Sequence, residues 1–219
     1  SKTAIAYGNG YKNDAGGETD YIILHETAHE WWGNSVTAKD LAHVWLQEGF
    51  ATYAESLFYE EKDGYLAYEN ELYYIRWFIK NKFPIVVEEG KRWFHFRQNS
   101  DVYVKGAWIL HSLRSQIDND STFFDIMRTF SIENKYKIVE SEDFINLVNK
   151  KTKSDYHWFF DHYLYNNEAP TLAYFISDEG ILYYKWANTA ANFNQLNIRI
   201  QSKNKAYTLQ PSQKVQKMQ

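Results

Sequence analysis

The sequence predicts a mainly α chain that changes to β-strands in its last quarter. Three observations point there. Apolar residues recur at helical spacing from about residue 20 to residue 168, Pro170 interrupts them, and beyond it the period drops to two, as in Leu172, Tyr174 and Ile176. The chain has 219 residues, 44% of them hydrophobic, with 8 Trp, 18 Tyr and 14 Phe. That is apolar material for a sizeable core, and it excludes a wholly disordered chain.

Residues 1–19 are rich in Gly and Asn and read as a strand remnant followed by a loop. A helix is expected from Asp20, a good N-cap, to Gly33, with Asn34 behind it as a stop. Ser35–Thr37 reads as a short extended piece. A second helix is expected from Val44 to Lys62, closed by Asp63-Gly64, and a third from Tyr65 to Lys82, ahead of Pro84. On the third, Tyr65, Tyr68, Leu72 and Ile75, and with them Tyr73 and Trp77, read as core. Ile85–Val87 and Trp93–Phe96 suit either strand or loop. Helices resume at Val104–Ile117, Ser121–Ser131, Glu142–Lys150 and Tyr156–Tyr165, the last two capped by Ser141 with Asp143 and Ser154 with Asp155. Strands follow around 172–176, 181–183 and 196–200, with Asp178-Glu179-Gly180 as a hairpin turn. Three or four strands enclose no core of their own, so they read as the opening of a larger β-sandwich. Residues 203–219, polar and rich in Lys and Gln, read as a frayed, disordered tail or one edge strand. The expected division is therefore 1–168 and 169–219.

Net charge is −4 and the pI about 6.0, which argues against nucleic acid as a partner. No apolar run approaches the roughly 20 residues that span a bilayer. There is no cysteine, so any metal must be held by His and carboxylate, and the composition selects no compartment. Opening at Ser1 without Met or leader, the chain reads as an excised or processed segment.

His25-Glu26-Thr27-Ala28-His29 is an H-E-x-x-H motif inside the first predicted helix. Two histidines four positions apart project from one helix face and can grip one ion. Glu26 sits beside that face, able to reach a metal-bound water without ligating the metal. A third ligand is supplied by Glu48, in Trp45-Leu46-Gln47-Glu48-Gly49-Phe50-Ala51, because the helix stop, strand and new helix between let the second helix run back past the first. Two imidazoles and one carboxylate leave a fourth tetrahedral position for water, the arrangement of a catalytic zinc. His43, His95, His111, His157 and His162 have no partner at ligand spacing and read as surface or satisfied core. Trp31, Trp32 and Trp45 read as packing around the metal-bearing helices.

These residues resemble the zinc aminopeptidases of the aminopeptidase N and leukotriene hydrolase type, within the gluzincins. The resemblance rests on H-E-x-x-H with Glu48 beyond an 18-residue gap, on Trp32-Gly33-Asn34 with Val36-Thr37, on Trp45-Leu46-x-Glu48-Gly49-Phe50-Ala51 and on Tyr103-x-Lys105-Gly106. Phe159-Phe160-Asp161, Tyr163-Leu164 and Pro170 resemble the last helix leading into that family's β-sandwich. It implies a thermolysin-like catalytic domain over 1–168, a single zinc held by His25, His29 and Glu48, and removal of N-terminal residues from peptides. It further implies Glu26 as general base, Tyr103 as the hydrogen-bond donor that stabilises the oxyanion, and Glu55 as a support for a zinc-bound histidine. Asn34 would brace the zinc helix or cap it.

Two departures stand out. Gln47 occupies a position where many relatives have Asn, and nothing in residues 1–24 matches the Gly-x-Met-Glu-Asn-like strand whose Glu captures a substrate's α-amino group; Glu18 stands alone in a Gly-rich loop. The N-terminal and later helical domains of such enzymes are also absent. The chain is thus expected to bind zinc yet to be a poor or inactive aminopeptidase by itself. A thermolysin-type endopeptidase and a non-catalytic zinc-binding module are the alternatives.

Overall fold

A computed structural model describes residues 19–90, 100–190, 192–193, 195–202 and 205–218. The chain forms two compact units, Ser1–Ser154 and Asp155–Gln219.

The first unit is helical. Helix α1 (Tyr21–Ala28) starts where Asp20 accepts the backbone N–H groups of Ile22 and Ile23 at 3.0 and 3.3 Å, satisfying two donors that no helical turn can. It stops five residues before the expected end at Gly33. Gly33 holds a φ of 136°, and the Asn34 N–H turns back to the His29 carbonyl at 2.9 Å, so the chain reverses into strand β1 (Val36–Ala38). After a 3-10 turn at Leu41–His43 comes α2 (Trp45–Asp63), the central helix, closed by Gly64 with a φ of 90°.

Helix α3 (Tyr65–Arg76) ends six residues short of the expected Lys82. The next N–H groups bond three residues back, and those of Lys80 and Asn81 are then taken by the Asp101 carboxylate at 2.8 and 2.6 Å, which breaks the helical ladder. Tyr68, Leu72 and Ile75 are buried as expected, but Tyr65, Tyr73 and Trp77 are exposed. A helix packed along one side buries one stripe, and Arg76 lies over the Tyr73 ring at 4.1 Å on the other. Ile85 and Val86 are buried without forming a strand, and Trp93–Phe96 lie outside the described residues.

Helices α4 (Asp101–Ile117), α5 (Asp120–Glu133) and α6 (Ser141–Thr152) follow among the described residues of this unit, with strand β2 (Lys137–Val139) pairing parallel to β1. Ser141 is not the cap of α6. Glu140 and Asp143 form the reciprocal capping box, while the Ser141 hydroxyl accepts from the Trp45 indole at 2.8 Å. Trp45, Phe50, Phe130 and Phe144 interlock in the core, with Phe50 and Phe144 ring centroids 5.1 Å apart, and Trp32 lies 4.8 Å from Phe50. Trp31, expected to share this packing, is exposed. Arg114 ties α4 to α2 and α5 through paired bonds to Glu60 and Asp120.

Among its described residues the second unit holds α7 (His157–Tyr165) and five strands, β3 (Leu172–Ile176), β4 (Leu182–Trp186), β5 (Ile198–Ser202), β6 (Lys205–Leu209) and β7 (Gln216–Met218). The expected hairpin joins β3 to β4, its turn closed by Gly180 N–H to the Ser177 carbonyl at 2.9 Å. Residues 205–218, expected as a frayed tail or a single edge strand, contain two strands: β6 pairs with β5 and β7 with β4. Trp158, Phe159, Trp186 and Phe193 pack together in this unit.

Candidate metal centre

Helix α1 carries His25, its C-cap residue His29 follows one turn later in helical conformation, and α2 runs back so that Glu48, at its start, reaches both. The Nε2 atoms of His25 and His29 are 3.1 Å apart, and Glu48 Oε2 lies 3.3 Å from the first and 3.2 Å from the second. Such a triangle has the size an ion demands. Donors held about 2.0–2.1 Å from a zinc ion at tetrahedral angles stand about 3.3 Å from one another.

Hydrogen bonds on the far sides of the rings settle the tautomers. The Trp32 carbonyl, which can only accept, lies 2.8 Å from His29 Nδ1 and so fixes a proton there. Glu55 Oε1 lies 2.7 Å from His25 Nδ1 and does the same. In their neutral forms both rings therefore turn a lone pair inward, against a carboxylate oxygen that also has only lone pairs. Three lone pairs at such spacing repel unless a cation or added protons sit among them. For the side chains alone, protons are the answer. Burial would lower the pKa of His25, but bonds to Glu48 and Glu55 and their charges outweigh it and lift it to about 9. Burial would likewise raise Glu48, and His25 and His29 instead hold it down to about 2.

Glu26 is half-buried on α1. The Tyr103 ring, from the first turn of α4, lies 5.9 Å from the His25 ring. Burial, then the charges of Glu48 and Glu26, push the Tyr103 hydroxyl well above its ordinary pKa, so it stays a donor at neutral pH. Asn34 does not reach either imidazole: its side chain donates to Glu30 at 2.9 Å, and its backbone caps the turn. The carbonyl of Trp32 does for His29 what Glu55 does for His25. As a backbone atom it leaves no trace in residue type, which is why the sequence did not expose it.

A second group of similar composition, His43, Glu89 and Glu140, has the wrong protons for a cation. The Trp45 indole donates to Ser141 Oγ, so the Ser141 proton goes to His43 Nδ1 at 2.9 Å, and the remaining imidazole proton sits on Nε2. That nitrogen faces Glu89 at 3.5 Å, and Lys39 Nζ already lies 3.0 Å from both Glu89 and Glu140. This is an ion-pair cluster.

A model of the peptidase family M1 domain matches residues 2–163. Among curated proteins, aminopeptidase N of Lactococcus lactis is 22% identical over 176 residues, covering 74% of this chain and 20% of that protein. Among solved structures, a variant of the M1 zinc metallopeptidase of Deinococcus radiodurans bound to a Tyr-Ser-Ala substrate has a TM-score of 0.58 at 27% identity, covering 70% of this chain and 34% of that one. Aminopeptidase A of Legionella pneumophila in complex with aspartic acid has a TM-score of 0.65 at 19% identity over 90% of this chain and 24% of that one, a likeness of fold. The chain spans about a fifth of the length of the aminopeptidase N that it matches.

Proposed function

The chain belongs to peptidase family M1, and on that premise we propose that it is the catalytic core of a zinc-dependent aminopeptidase that removes residues from the N-terminus of peptides. The observation that carries the reading is the triangle of His25 Nε2, His29 Nε2 and Glu48 Oε2, with edges of 3.1 to 3.3 Å, its lone pairs turned inward beside Tyr103. His25, His29 and Glu48 would hold one zinc per chain there. When bound it supplies Lewis-acid chemistry, acidifying a water and polarising the scissile carbonyl.

The chain's own residues do the rest. Glu26 accepts the proton of the attacking water and returns it to the leaving amine. Tyr103 donates a hydrogen bond to the oxygen of the substrate carbonyl as negative charge develops there, its raised pKa keeping the proton in place. Glu55 and the Trp32 carbonyl hold the two imidazoles in their donor tautomers. Residues 1–168 form a thermolysin-like domain in this reading, and 169–219 open a β-sandwich. Preference for a free N-terminus is supported by the relatives, among them the Deinococcus radiodurans enzyme with its Tyr-Ser-Ala substrate.

The test is the full-length protein and its Glu26→Gln variant, assayed on amino-acid anilides and on N-blocked peptides, with zinc measured in parallel. The unaltered protein should cleave the anilides alone, and the variant should keep its zinc and lose turnover. Cleavage of blocked peptides would favour an endopeptidase, and a protein that takes up no zinc would refute the metal centre.

A further inference from the structure

Resting on the reading of Tyr103 as the donor to the oxyanion, the geometry points to a fixed mount for that residue: backbone contact between Gly49 and Gly106, backed by the Asp101 carboxylate, sets the distance of Tyr103 from the metal centre.

The two glycines meet where α2 and α4 cross. A methyl group on Gly49 would stand 2.8 Å from the Gly106 Cα, 3.0 Å from the Gly106 carbonyl carbon and 3.1 Å from the Val102 carbonyl oxygen. One on Gly106 would stand 2.8 Å from the Gly49 Cα. These obstacles are backbone atoms, which cannot swing aside as the end of a long side chain can. Any side chain at either position pushes the helices apart. The crossing falls one residue after Glu48 on α2 and one helical turn after Tyr103 on α4. The gap between the helices is therefore passed to these two side chains with little slack.

Asp101 holds the other end. It lies two residues before Tyr103, fully buried, with one carboxylate oxygen on the Lys80 N–H at 2.8 Å and the other on the Asn81 N–H at 2.6 Å. A helix's first turn is where its ladder is weakest. Here that turn is fastened to the segment after α3. Gly49, Gly106 and Asp101 are all buried, so they act as positioning residues, through Tyr103. Misplacing a reacting group by about 1 Å costs on the order of 100-fold in rate.

The experiment measures kcat, KM and bound zinc in the full-length protein for Gly106→Ala, Asp101→Asn, Tyr103→Phe and the two doubles that add Tyr103→Phe. Each single change should keep the zinc, leave KM within about twofold and lower kcat by about 10- to 100-fold. Each double should be within about threefold of Tyr103→Phe alone, because the donor being positioned is already gone. Losses that multiply, or a folded Gly106→Ala with full kcat, overturn the inference while leaving the proposed function standing. Should Gly106→Ala fail to fold, Asp101→Asn, nearly isosteric and keeping one acceptor oxygen, decides by the same comparison. A Tyr103→Phe variant at full kcat overturns the reading of Tyr103 and this inference together.

Discussion

The Glu55 carboxylate lies 2.7 Å from His25 Nδ1, on the side of the ring opposite Glu48, and is itself buried. The contact fixes which nitrogen of His25 is free to bind a metal. Removing it with Glu55→Ala should weaken zinc binding by about 10- to 100-fold. Glu55→Gln, which keeps an acceptor oxygen, should weaken it less. Competition with a chromogenic chelator measures both, and equal affinity in Glu55→Ala would show that the ring is oriented by something else.

Protons compete with the metal, and the sign can be worked out. The pKa of His25 is raised from 6.5 to about 9, so its protonated form stabilises the zinc-free fold fully below about pH 6.5, a contribution lost as pH rises through about 9. Zinc needs that nitrogen unprotonated. Because His29, its pKa also raised, sheds a proton as well, apparent zinc affinity should climb by at least about tenfold per pH unit between pH 6.5 and 8.5 and level off above pH 9. Titrations at three pH values in that window check it. A flat profile would mean that no proton is released from this site.

Arg114 is the electrostatic tie of the first unit. Its guanidinium bonds Glu60 at 2.6 and 3.0 Å and Asp120 at 2.8 and 2.7 Å, with the Phe124 ring 4.9 Å away. Arg114→Ala strands Glu60 without its partner and should cost about 3 kcal/mol of stability. Urea unfolding gives the value. A loss below about 1 kcal/mol would mean that water replaces the guanidinium freely.

His111 should make the fold sensitive to acid. Burial first, then the Arg114 charge, lower its pKa from 6.5 to about 4, with Glu60 opposing. Its Nδ1 lies 2.7 Å from the Tyr68 hydroxyl, which in turn meets the Tyr53 hydroxyl at 2.9 Å. The folded state keeps this ring neutral, whereas the unfolded chain protonates it below about pH 6.5. Stability from this group is thus complete above pH 6.5 and falls as pH drops to about 4, by about 3 kcal/mol in all. The pH slope of unfolding free energy should flatten in His111→Asn. An unchanged slope would assign the acid sensitivity to other groups.

The site was more legible in the sequence than the turns around it, for a physical reason. His25, Glu48 and Glu55 lie on regular helices and His29 is the C-cap of α1, still in helical conformation, so a period of 3.6 converts their spacing directly into shared faces. The end of α3 was hidden because a long-range contact sets it, whereas α1 stops at a local reversal, with Gly33 at a φ of 136° and the Asn34 N–H on the His29 carbonyl, that helical spacing alone does not register. The Asp101 carboxylate takes the amides of Lys80 and Asn81, some twenty residues before it in the chain, and no local pattern around Lys80 announces that. Residues 205–218 hold two strands where a frayed tail or one edge strand was expected, because β6 and β7 are short and their partners, β5 and β4, decide their conformation.

At eight residues, α1 is shorter than the roughly 12–15 that a helix needs to persist alone in water. Among its residues only Ala28 is buried. A metal held by His25 and His29 would pin this helix to α2 from its last turn, much as a pin closes a clasp. Chelation should then let the amide hydrogens of residues 24–28 exchange with deuterated solvent together, while those in the middle of α2, around Ala51 and Tyr53, remain protected.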